Sequence, residues 1–202
     1  MNLLLEQGLP EQLCGVPIYP DFRNMIRFEL ALLDDSIADQ DRALVGIDQL
    51  FGAMPPCGME EAVRALLWFY LRGKGPESGK GKAAARAYDF EQDAGRIYAA
   101  FLQTYGMDLT QVDYLHWWAF MALLEALPDT TQMGQIMAWR TVDLDGIEDK
   151  ATRAHYAELK QRYAIQRKGR ALPASTAGER EEKLKARVAG RFEEAKRNAA
   201  LR

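Results

Sequence analysis

Apolar residues recur every three or four positions in one segment of this sequence after another. That spacing commits the chain to helices that pack through one-sided stripes. The extreme case is Leu115-His116-Trp117-Trp118-Ala119-Phe120-Met121-Ala122-Leu123-Leu124, apolar almost all round. Water solvates such a surface poorly, so this segment is expected as a central helix with others around it. Asp21 is placed to cap a helix carrying Phe22, Met25, Ile26, Glu29, Leu30 and Leu33. A second helix starts near Asp39 or Asp41, shows Leu44, Ile47 and Phe51 on one face, and is broken by Pro55-Pro56. Met59 to Leu71 predicts a third, apolar on most sides and expected to be buried. Asp89 is the expected cap of the next, which carries Ala94, Ile97, Tyr98, Phe101, Leu102 and Tyr105 and stops at Gly106. After Pro128, Thr130 or Thr131 caps a helix with Met133, Ile136, Met137 and Arg140. A turn at Asp145-Gly146 then leads to a last core helix with Tyr156, Leu159 and Tyr163.

The two ends read differently. Gln12 to Tyr19 is β-prone and centred on Gly15, which predicts a small hairpin, and prolines at 10, 17 and 20 keep it short. Pro173, Ser175 and Thr176 mark a linker over 168–178. Beyond it, Leu184, Val188, Phe192, Ala195 and Ala199 form a narrow stripe on a strongly charged helical pattern. The expected fold is therefore mainly α: a single compact multi-helix domain over 21–167, with a hairpin segment over 1–20 and a charged C-terminal helix over 179–202. An apolar fraction of 48% supplies enough material for such a core and argues against wholesale disorder.

Charge divides unevenly along the chain. Residues 1–149 carry 11 basic and 23 acidic side chains, whereas 150–202 carry 15 basic and 6 acidic, so a net −3 conceals −12 followed by +9. Such polarity attracts an acidic partner or lets the tail fold back on its own body. No apolar run approaches the roughly 20 residues of a membrane span. The start, Met1-Asn2-Leu3-Leu4-Leu5-Glu6, lacks the basic opening of a secretory signal. Cys14 and Cys57 lie far apart, match no zinc spacing, and are fewer than a disulfide framework normally uses. A reducing cytoplasm is the expected compartment.

Candidate chemistry is sparse. The loop Arg72-Gly73-Lys74-Gly75-Pro76-Glu77-Ser78-Gly79-Lys80-Gly81-Lys82 superficially resembles a phosphate-binding loop, which needs G-x-x-x-x-G-K and then Ser or Thr for magnesium. Here the glycines enclose the wrong number of residues, Gly81 stands where the hydroxyl belongs, and a helix precedes the loop instead of a strand. It reads as a basic flexible loop, although Arg72, Lys74, Lys80, Lys82 and Arg86 could meet a nucleic-acid phosphate. His116 and His155 have no partner at ligand or acid–base spacing, and His116 reads as a hydrogen-bonded core residue. The run Asp34, Asp35, Asp39, Asp41 lacks the alternating ligands of a calcium loop and reads as a solvated, helix-capping turn. No catalytic, cofactor or metal site is expected, and the chain reads as a binder of proteins. Its aromatic residues are mostly core by position. Adjacent residues on a helix point about 100° apart, so Trp117 and Trp118 cannot both face one narrow core, and one of them is a candidate partner contact.

Several blocks together resemble the gene-product-fifteen proteins of tailed bacteriophages and prophages. They are Asp21-Phe22-Arg23 with Arg27-Phe28-Glu29, then Leu67-Trp68-Phe69-Tyr70, then Tyr88-Asp89-Phe90-Glu91-Gln92-Asp93-Ala94. Ile97-Tyr98-Ala99-Ala100-Phe101, Tyr105-Gly106-Met107-Asp108-Leu109, Tyr114-Leu115-His116-Trp117-Trp118 and Trp139-Arg140 follow in order. The resemblance implies a role in tail morphogenesis, like the small helical chaperones encoded just upstream of the tape measure protein, which coat that long helix until tail-tube subunits replace them. The partners it implies are the tape measure protein and tail-tube subunits, in the bacterial host cytoplasm, and no catalytic residues carry over. Besides Trp117 and Trp118, the stripe Leu184, Val188 and Phe192 is the candidate contact, for self-association into a homo-oligomer or for docking. A minor structural component kept in the finished tail is the competing reading, and nucleic-acid binding through the basic C-terminal region ranks after it.

Overall fold

Cys14 and Gly15 begin the described architecture with a tight turn. Both have left-handed backbones (φ 53° and 73°), the pair of conformations with which a two-residue hairpin loop matches strand twist. The turn joins β1 (Gln12–Leu13) to β2 (Val16–Pro17), antiparallel, with Leu13 opposite Val16. The computed structural model describes residues 8–74 and 85–166. The linker expected over 168–178, the charged helix over 179–202 with Leu184, Val188 and Phe192, and most of the glycine-lysine loop lie outside those residues.

The described chain is mainly α-helical, and its contacts divide it into two units. The first holds residues 8–74 with 116–118, and the second 85–115 with 119–166. In the first, α1 (Phe22–Leu32) opens at Asp21, whose carboxylate accepts from the Arg23 N–H at 2.9 Å. It packs on α2 (Asp39–Phe51), which packs on α3 (Met59–Tyr70). Met25, Phe28, Ile47, Leu50, Leu66 and Phe69 fill the space between them. Gly46 permits the close approach: a Cβ there would stand 2.6 Å from Phe28 Cε2 and would also overlap Leu66 Cδ2. His116, Trp117 and Trp118 complete this unit. Asp21 forms an isolated β-bridge with His116, and the Trp117 N–H donates to the Pro20 carbonyl at 2.8 Å.

α3 is not buried on most sides: Ala62, Leu66 and Phe69 face inward, while Leu67 and Trp68 lie on the outside. Hydrophobicity around a helix does not say how many neighbours it has, and α3 rests on the unit through one face only. The cysteines are not separate either. Cys14 and Cys57 form a disulfide with Cα atoms 5.7 Å apart, because the hairpin folds back onto the segment between α2 and α3.

In the second unit, α4 (Ala94–Tyr105) packs on α6 (Gln132–Thr141), and α6 on α7 (Lys150–Arg162). Phe101 stacks on Phe120 of α5 (Trp117–Glu125) at 5.2 Å, and Phe90, Ile97, Leu124, Met133 and Ile136 close the core. α4 ends as expected at Gly106, left-handed at φ 63°. The cap of α6 is Thr131, whose hydroxyl accepts from the Gly134 N–H at 3.0 Å. Asp89 does not cap α4. It folds the turn ahead of the helix, accepting from the Glu91 and Gln92 N–H groups at 3.0 and 2.8 Å, and α4 starts after Asp93. α7 is not a core helix: none of its residues is fully buried, because its apolar side chains are too few to make more than a shallow stripe. It is held by Lys160 Nζ donating to the Val142 carbonyl at 2.8 Å and by the Tyr163 ring 5.0 Å from Trp139.

Candidate functional site

Trp117 and Trp118 are both inside, 1% and 2% exposed. Their position at the first turn of α5 explains how two side chains 100° apart find cover: both reach the C-terminal end of α3. The last carbonyls of a helix have no partner within it. The Trp117 Nε1–H donates to the Tyr70 carbonyl at 3.0 Å, and the Trp118 Nε1–H to the Phe69 carbonyl at 2.8 Å. The Trp117 ring stacks on Tyr70 at 5.8 Å and 12°. Tyr70 in turn donates its hydroxyl to the buried Glu29 carboxylate at 2.8 Å, with its ring edge-on to Phe28. The two indoles thus form a wall, and the surface tryptophan of this cluster is Trp68, 36% exposed with its ring 5.4 Å from Trp118.

Trp68 is accompanied by other large apolar side chains of the same unit that remain accessible: Leu30 on α1 and Leu33 at its C-cap, Met54 and Met59 around the start of α3, and Leu67 beside Trp68. Leu33 stands one turn beyond Glu29 and Leu67 one turn before Tyr70, so these leucines flank the same Glu29–Tyr70 contact at about one helical pitch. Sequence reasoning placed Trp68 in the core. The signal that could have found it is helical phase: Ala62, Leu66 and Phe69 share one side of α3, and Leu67 and Trp68 fall on the other.

His116 is a structural residue. Its Nδ1 accepts from the Trp118 N–H at 3.0 Å, as an N-cap side chain does, which leaves Nε2 to donate to the Pro10 carbonyl at 3.2 Å. Burial drives its pKa below the ordinary 6.5, against the pull of the Pro10 carbonyl and the charge of Glu11. The unfolded chain therefore takes up this proton before the native one does, and stability falls as pH drops below about 6.5. Urea midpoints measured from about pH 7 down to pH 5 are expected to decline less steeply in His116→Gln, which keeps a donor and an acceptor without titrating. Equal slopes in the two proteins would exclude the linkage.

In the second unit, a cleft of about 250 Å³ is lined by Arg86, Arg140 and Lys160 with Ala85, Ala164 and Ile165. Its cations are engaged by the protein itself. Arg140 donates to Asp93 and to the carbonyls of Tyr163 and Ala87, Lys160 to Val142, and Arg86 lies 3.8 Å from Asp89. Burial opposes the charge on Asp93, but Arg140, the Asp89 N–H and Arg96 outweigh it and hold the carboxyl below its usual range. This cluster holds α6, the 85–93 segment and the end of α7 together. The acidic run is likewise structural: Asp34 accepts from the Ser36 N–H at 2.9 Å, and Asp39 pairs with Arg42 at 2.8 Å. Among the described residues, no group of three or more His, Cys, Asp or Glu could hold a metal ion, and no helix is long and apolar enough to cross a membrane.

Residues 15–165 match the family described as Bacteriophage Gp15 protein. The chain belongs to the bacteriophage Gp15 family. No curated protein and no solved structure matches it. For this Gp15 protein the match places the Trp117-Trp118 wall, Trp68 and the Arg140–Asp93 cluster all within the family region, with the C-terminal 37 residues beyond it.

Proposed function

We propose that this Gp15-family protein acts as a tail assembly chaperone, binding the tape measure protein of its phage during tail morphogenesis. The observation that carries the reading is the accessible apolar surface of the first unit: Leu30, Leu33, Met54, Met59, Leu67 and Trp68. A long amphipathic helix docks through anchors three and four residues apart and needs apolar ground to receive them. Methionines re-pack around successive segments of such a ligand, and a half-exposed indole supplies an anchor. Co-expression with the tape measure protein, followed by pull-down and size-exclusion chromatography with light scattering, tests it. The expected result is a soluble co-eluting complex, weakened about tenfold or more by Leu67→Ser or Trp68→Ala in variants whose circular dichroism is unchanged. No association, or association indifferent to both substitutions, would remove it.

The Cys14–Cys57 disulfide favours a second reading, a minor structural component retained in the finished tail, because such bonds persist in proteins outside a reducing cytoplasm. Mass spectrometry of purified particles separates the two: a chaperone is absent from them and a tail component is present.

A further inference from the structure

The chain has only two cysteines, separated by 43 positions, and the fold brings them within disulfide reach, with Cα atoms 5.7 Å apart. Both are half-buried, so a small thiol can reach them. Cys14 occupies a left-handed position (φ 53°) where a hairpin turn ordinarily takes Asn, Asp or Gly. Cys57 lies in the segment from Gly52 to Gly58, bounded by two glycines of positive φ (74° and 83°), a conformation that a residue without a Cβ adopts without strain. On the hairpin side the Tyr19 ring lies over Gly52, and the Tyr19 N–H donates to the carbonyl of Leu50, just ahead of the segment, at 2.7 Å. The segment carries Met54, 48% exposed, and leads directly into Met59, 46% exposed.

We infer that Cys14 and Cys57 form a reversible dithiol–disulfide site that sets whether the Gly52–Gly58 segment, and with it Met54 and Met59, is fixed against the hairpin. The chemistry is thiol–disulfide exchange with a small disulfide such as glutathione disulfide. The thiolate of one cysteine attacks a glutathione sulfur, breaking the glutathione S–S bond, forming a mixed disulfide and releasing one glutathione thiolate. The second cysteine, as thiolate, then displaces the other glutathione and closes the Cys14–Cys57 bond. Two protein thiols lose two electrons and two protons in all, and one glutathione disulfide becomes two glutathione thiols. Reduction runs the same steps backwards. In the reduced state the covalent link is gone, and the segment is held by non-covalent contacts alone, the Tyr19 ring over Gly52 and the buried Pro55 among them.

The full-length protein, equilibrated in excess glutathione disulfide or in excess reduced glutathione, is read by intact mass, iodoacetamide labelling and hydrogen exchange. In the oxidised sample the expected results are a monomer lighter by two hydrogens, with no adducts. Exchange in peptides covering residues 52–58 is expected to be about tenfold slower than in the reduced sample, with peptides from α4 unchanged. Cys14→Ser should show the reduced-state exchange in both buffers, and the reduced wild type supplies the same comparison should that variant fold poorly. Two adducts persisting in glutathione disulfide, disulfide-linked dimers in place of the internal bond, or identical exchange in both states would each overturn the inference.

Discussion

Replacing Arg140 with alanine is expected to destabilise the protein by about 3–5 kcal/mol, because it leaves the Asp93 carboxylate buried without its main counter-charge. Asp93 is fully buried and Arg140 is 3% exposed. The guanidinium spans three separate stretches of the second unit. Its Nη2 donates to Asp93 at the start of α4 at 3.1 Å, its Nη1 to the Ala87 carbonyl at 3.1 Å, and its Nε to the Tyr163 carbonyl at the end of α7 at 2.6 Å. Arg96 also reaches Asp93 at 2.8 Å but is a third exposed, so it cannot replace a buried bidentate partner. The double variant Arg140→Met with Asp93→Leu should lose less than Arg140→Ala alone, since no charge is then stranded. Urea unfolding of Arg140→Met, Asp93→Leu and their double gives the coupling directly, and additive losses would show that the pair is not coupled. The pH dependence has a definite sign. Because Asp93 is held below its ordinary 3.8, its contribution is complete above that value and is lost as pH falls through the lower native pKa.

The pairing was half legible. Helical spacing placed Arg140 in line with Met133, Ile136 and Met137, which already put a guanidinium on a buried stripe. Which carboxylate answers it was not legible, because Asp93 lies 47 positions away and nothing local marks it among the other acids. The disulfide has the same character. Most features closed within one turn of chain are legible: the Asp21 cap, a cap at Thr130 or Thr131 that falls on Thr131, the Gly106 stop and the hairpin at Gly15, though not the start of α4, where Asp89 folds a turn and caps nothing. Features that depend on how many sides of a helix are covered were not, as α3 and α7 show. The tryptophan pair failed for a related reason. A helical-wheel argument assumes a core on one side, whereas the first turn of α5 meets both the Pro20 carbonyl and the two last carbonyls of α3.

That geometry makes Trp118 the second position of large effect. Trp118→Ala is expected to cost about 3–5 kcal/mol, the range for emptying a buried aromatic site. The indole is 2% exposed, with the rings of Trp68, Phe69 and His116 at 5.4, 5.9 and 6.0 Å, so several walls would have to move to fill the cavity. Its N–H also serves the Phe69 carbonyl near the end of α3. Trp118→Phe retains much of the ring and forfeits chiefly that bond, so its cost should be nearer 1–2 kcal/mol. Unfolding followed by circular dichroism avoids the loss of an indole fluorophore. Trp68→Ala is the informative contrast, since its more exposed ring should cost less stability while weakening partner binding. A Trp118→Ala loss no larger than that of Trp68→Ala would mean that α5 does not depend on this wall. It would return Trp118 to the list of candidate partner contacts.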